Sequence, residues 1–133
     1  MSGHEDYSVP GVYLDEKGVI HIDLRGWSRL SLDILEKARQ RHLQLAPDRK
    51  CPVLLHCDSI LSVDYEAERF ASAPEVIEHI QALGIVVGNP VAQLLGKLFQ
   101  FYHHPPYPSR ICASEKEAVQ WLCSAPDQER RVT

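Results

Sequence analysis

Apolar and polar residues alternate most cleanly over residues 19–24, where Val19, His21 and Asp23 take one side and Ile20, Ile22 and Leu24 the other. A period of two predicts a strand with one apolar face. Val12-Tyr13-Leu14 precedes it across Asp15-Glu16-Lys17-Gly18, so the two runs predict a hairpin whose turn uses the positive φ open to glycine. Residues 25–30 then read as a loop. From Ser31, a capping side chain, Leu32, Leu35, Ala38, His42 and Leu45 follow helical spacing, and Pro47 stops the helix. Pro52-Val53-Leu54-Leu55-His56-Cys57 is apolar through most of its length without alternating, as expected of a central strand covered on both faces.

Past a turn at Asp58-Ser59, a second helix is predicted with Ser62 as its cap and with Asp64 and Glu66 in the first turn, where the helix dipole favours negative charge. Ser72-Ala73-Pro74-Glu75 has capping-box spacing and predicts another helical piece. Leu83-Gly84-Ile85-Val86-Val87 reads as a buried strand. Asn89 then caps a helix with Pro90 at its first position and a stripe of Val91, Leu94, Leu95, Leu98, Phe99 and Tyr102. Arg110-Ile111-Cys112 is a short final strand, and Ser114 with Glu117 opens a helix containing Ala118, Val119, Trp121 and Leu122.

This order predicts an α/β fold: a five-stranded, mostly parallel sheet with an antiparallel opening hairpin and about four helices. Residues 1–11 are expected to be a flexible N-terminus, residues 12–124 a single domain, and the polar residues 125–133 a flexible tail. A chain of 133 residues buries roughly two thirds of its unfolded surface, enough for one core.

The formal charge of −4 is spread over both signs, which argues against a phosphate-tracking face and against nucleic acid as a partner. No apolar stretch approaches the roughly 20 residues that cross a bilayer. The N-terminal residues lack a signal-peptide pattern, and a cytoplasmic location is expected. Cys51, Cys57, Cys112 and Cys123 show no CxxC spacing and read as small hydrophobes. The seven histidines are scattered, and the doublet His103-His104 has no nearby carboxylate or thiolate to complete a metal site. Neither a metal nor a cofactor is expected.

Catalysis finds little support. Ser59, His56 and Asp58 are adjacent, but adjacency does not supply a separately supported nucleophile, base and orienting acid. The chain has no GxGxxG or GxxxxGK[ST] run. Pairs such as Asp15-Glu16 fit a turn, and Glu66 with Glu68 fits a solvated helix face. A non-enzymatic protein is expected.

The order of elements resembles the STAS fold of sulfate transporters and anti-sigma factor antagonists, and its CRAL-TRIO lipid-transfer relatives. The last third is the more specific match: Ile85-Val86-Val87, Asn89-Pro90-Val91, Leu98-Phe99, Pro105 to Arg110 and Glu117-Ala118-Val119-Gln120-Trp121-Leu122 are similar to a bacterial STAS-like family with that ending. In the antagonists a strand-end aspartate is followed by an Asp-Ser or Asp-Thr pair whose hydroxyl is phosphorylated. Here His56 stands at the strand end, Asp64 at the helix start and Tyr65 at the acceptor position, so the pattern is broken. Ser62 or Ser59 would have to replace the phosphosite, and Ser62 also reads as a plain helix cap, with Asp64 and Glu66 repelling a phosphate.

The resemblance implies a regulatory domain that binds a protein partner through Asp58, Ser59, Ser62, Asp64 and Tyr65. Leu94, Leu95, Leu98, Phe99, Phe101, Tyr102 and Tyr107 are more large apolar groups than one core easily absorbs. They are either core, a two-fold dimer interface, or the wall of a pocket for a small apolar or lipid-like ligand against helix 90–102.

Overall fold

The computed structural model describes residues 10–57, 60, 62–87 and 107–132. In chain order these contain strands β1 (Gly11–Leu14), β2 (Ile20–Asp23) and β3 (Arg29–Leu30), helix α1 (Leu32–Leu45), strands β4 (Cys51–His56) and β5 (Ser62–Val63), helices α2 (Tyr65–Ala71) and α3 (Pro74–Ile77), strands β6 (Ile80–Val86) and β7 (Ser109–Cys112), and helix α4 (Glu115–Val132). The main sheet runs β1-β2-β4-β6-β7, antiparallel only between β1 and β2. It is the expected α/β architecture. The apolar helix expected over residues 90–102 lies outside the described residues. Among the described residues, no helix is long and apolar enough to cross a membrane.

The hairpin turn closes as its sequence requires. Asp15 accepts hydrogen bonds from the Lys17 and Val19 N–H groups at 2.8 and 2.9 Å, and Gly18 takes a φ of +87°, a conformation costly for other residues. Alternation then sorts the side chains of a sheet covered on both faces. Ile20, Ile22, Leu24, Val53 and Leu83 pack in one cluster with Leu30, Ile34 and Ala38, whereas Val19, Leu54, Ala82, Val86 and Cys112 pack with Ala118 and Leu122 of α4. Gly84 permits the close approach of α4, because a Cβ there would stand 3.2 Å from the Leu122 side chain.

The structure differs from the expectations at several boundaries. Residues 29–30 are not loop: β3 pairs in parallel with β5, Arg29 opposite Ser62 and Leu30 opposite Val63. Ser62 is therefore a strand residue. Asp64 takes the N-cap position of α2 without a capping side-chain bond. Ser72 closes α2 instead of opening α3, where Ala73 is the N-cap residue. Strand β6 begins at Ile80, three residues early, and α4 spans Glu115–Val132. The expected caps at Ser31 and Ser114 form, with the Ile34 and Glu117 N–H groups donating to Ser31 Oγ and Ser114 Oγ, and Asn89 lies outside the described residues.

Candidate functional site

Parallel pairing sets His21 opposite Leu54, so His56, two residues further along β4, emerges on the same face of the sheet. That face is covered by α4. The two rings stack with centroids 5.4 Å apart, and His21 Nδ1 lies 3.2 Å from His56 Nε2. The other nitrogen of His21, Nε2, is 2.8 Å from Asp15 Oδ2 in the hairpin turn. Tyr13, directly opposite His21 in the antiparallel register, stacks on it at 4.5 Å and 7°. Glu115, the first residue of α4, brings Oε1 to 3.8 Å from His56 Nε2. Both histidines are buried, at 2% and 5% exposure, while Glu115 reaches solvent.

The Asp15 carboxylate decides which His21 nitrogen must donate. Burial alone would raise the Asp15 pKa, but hydrogen bonds from His21, Val19 and Lys17 outweigh it and hold the carboxyl below its ordinary range. An ionised carboxylate only accepts, so His21 Nε2 carries the hydrogen. In the neutral ring Nδ1 then presents a lone pair, which accepts from His56 Nε2–H. Burial lowers the His56 pKa, against the opposing pull of Glu115, and favours the neutral form.

The segment after β4 makes a different surface. Arg29 grips Asp64 through two parallel hydrogen bonds of 2.9 and 2.8 Å, anchoring the start of α2 to β3. Beside this clamp Val63 is 38% and Tyr65 69% exposed, and Arg69 lies 5.8 Å from the Tyr65 ring centre. Ser62 is exposed as well. Asp58 and Ser59 lie outside the described residues.

On the opposite sheet face, α1, α2, α3 and the sheet line a partly open pocket of about 80 Å³ whose walls are mainly apolar side chains such as Leu35, Phe70 and Leu83. His42 lines it with a buried Nε2 that has no hydrogen-bond partner, and burial pushes its pKa down to about 4, helped by His79 and Arg39. Tyr107, for which core, interface and pocket wall were all open, is buried in the core and lines this pocket. Its hydroxyl donates to the Ala71 carbonyl, and burial pushes its pKa up to about 12. Leu94, Leu95, Leu98, Phe99, Phe101 and Tyr102 lie outside the described residues.

Sequence reasoning missed the constellation of Tyr13, Asp15, His21, His56 and Glu115. A partial signal was present: alternation put His21 on the less apolar face of its strand. Its partner lies 35 positions away, and only the sheet register brings the two together.

The sequence model of the family described as "Domain of unknown function (DUF7793)" matches residues 12–125, and the chain belongs to that family. No curated protein matches it. Among solved structures, an uncharacterised DUF3478-family protein with a SpoIIAA-like fold from Shewanella loihica PV-4 superposes with a TM-score of 0.57 at 10% identity, over 86% of this chain and 92% of that one. A protein of unknown function from Arthrobacter sp. FB24 aligns at 20% identity over 84% of this chain and 97% of that one, with a TM-score of 0.31. The SpoIIAA-like neighbour establishes the STAS-like fold for this chain.

Proposed function

We propose that this DUF7793 chain is a non-enzymatic regulatory domain that binds a partner protein through Ser62, Val63, Asp64 and Tyr65, with Arg29 holding the surface in shape. The observation that carries the reading is the exposure of Tyr65, at 69% the greatest among the large hydrophobic residues described. A tyrosine ring offers large contact area at low conformational cost, and aromatic side chains dominate interface hot spots. The surface also lies just beyond the C-terminal end of β4, the side of a parallel sheet where α/β folds place their binding loops. Ser62 is open to modification, though the reading does not require it, and Asp64 and Glu66 disfavour an added phosphate there. A cytoplasmic location and a two-fold dimer through residues 94–102 belong to the same reading.

The carrier alternative gains nothing from the cavity beside His42. Small-molecule sites occupy roughly 300–1,000 Å³, and about 80 Å³ holds a few waters at most.

The test is affinity capture from host lysate with wild type and with Tyr65→Ala, at matched concentrations of protein shown to be equally folded by thermal melting. A protein retained by wild type and lost by Tyr65→Ala supports the proposal. Identical captured sets would contradict it.

A further inference from the structure

We infer that His21 Nδ1, His56 Nε2 and the Glu115 carboxylate form a site for one divalent transition-metal ion of the zinc class, with Asp15 orienting His21. This goes beyond the protein-binding reading and does not depend on it. Around a tetrahedral ion with ligand bonds of about 2.0–2.1 Å, donor atoms stand roughly 3.3–3.5 Å from one another. Here the two imidazole nitrogens are 3.2 Å apart, His56 Nε2 and Glu115 Oε1 are 3.8 Å apart, and all three donors fall within 4.8 Å of one another. Glu115 is the exposed member of the set and the one with room to move toward the two nitrogens.

Three features separate this cluster from an ordinary buried histidine pair. The first is Asp15, which accepts from the far nitrogen of His21 and so leaves Nδ1 as the lone-pair nitrogen of the ring, the arrangement that supports histidine ligands in metal sites. The second is charge. Asp15 and Glu115 supply two negative charges, while the neighbouring Asp23 and Arg25 pair with each other through two hydrogen bonds, so a divalent cation neutralises the cluster. The third is access, because Glu115 is 56% exposed at the mouth of a site whose histidines are buried. Two imidazoles and one carboxylate are a donor set suited to zinc, with a fourth position left for water.

Without the ion, His56 Nε2–H donates to His21 Nδ1. When the ion enters, His56 gives up the proton on Nε2 and carries one on Nδ1 instead, so the ring stays neutral and the lone pairs of His21 Nδ1 and His56 Nε2 are both free for the metal. The donor types, not their sequence spacing, make the site.

The test is titration of the chelator-stripped full chain with Co²⁺, read by visible absorption, followed by displacement with Zn²⁺. One equivalent bound with the intense bands of tetrahedral cobalt is expected. Glu115→Ala, a change at an exposed side chain that leaves the fold intact, should weaken binding at least tenfold, and His56→Ala should abolish it. Asp15→Asn should weaken it roughly 10–100-fold, as the loss of supporting partners does. Replacing both His103 and His104 with alanine should change nothing. No binding at millimolar Co²⁺, or binding that survives Glu115→Ala but is lost in the His103/His104 variant, overturns the assignment.

Discussion

His21 and His56 lie between the sheet and α4, while His42 and His79 lie between the opposite face and α1 to α3, their rings edge to face at 6.3 Å. Both pairs combine imidazoles with an apolar setting, yet burial acts on them differently. His21 is held by Asp15 and bonded to His56. Burial, His79 and Arg39 all disfavour a proton on His42, no carboxylate among the described residues opposes them, and its Nε2 has no hydrogen-bond partner. A buried histidine becomes a candidate ligand when a carboxylate fixes its proton, and without one it is mainly a cost to stability.

Acid should expose the difference most strongly. The folded pKa of His42 is depressed from 6.5 to about 4, so folded and unfolded chains bind equal protons above pH 6.5, and only the unfolded chain takes one up between 6.5 and about 4. Stability is therefore lost as pH falls through that window, by about 3 kcal/mol for a shift of this size. His56, also depressed, adds in the same direction. Urea melts across this range should show His42→Leu removing the larger part of the loss. An unchanged slope would break the comparison.

At pH 7.5 the two regions should respond with opposite signs. His21→Leu strips Asp15 of a partner and leaves His56 Nε2 without an acceptor, which should cost roughly 2–3 kcal/mol in chemical unfolding. His42→Leu removes a buried group that has no partner and should gain roughly 1 kcal/mol. Losses of similar size in both would mean that the Asp15 bond contributes nothing particular. Smallest of all, Arg29→Ala should hardly move the melting temperature, because its ion pair with Asp64 is exposed. The same variant should still weaken partner capture if the clamp shapes the Tyr65 surface.

Much of the fold was readable because local chemistry and tertiary role agree. Gly18 sits where the hairpin turn needs positive φ, Ser31 and Ser114 cap the helices they precede, and the mostly apolar, non-alternating run 52–57 does lie in the centre of the sheet. The errors arose where pairing between distant segments overrode local preference. Ser62 has the chemistry of a cap, but Ser28 and Leu30 accept hydrogen bonds from the Ser62 and Asp64 N–H groups, drawing the segment into β5 and leaving Asp64 to begin the helix. The histidine cluster was invisible for a related reason. It depends on parallel register, on a turn aspartate reaching back to its own hairpin, and on the position of the last helix, none of which has a local signature.

The most direct measurement is long-range ¹H–¹⁵N NMR of the imidazole nitrogens at neutral pH, before and after one equivalent of Zn²⁺. The account predicts a His21 ring protonated at Nε2, with zinc shifting His21 Nδ1 and His56 Nε2 and leaving His42 and His79 in place. A His21 ring protonated at Nδ1 alone, or zinc shifts confined to other histidines, would contradict it.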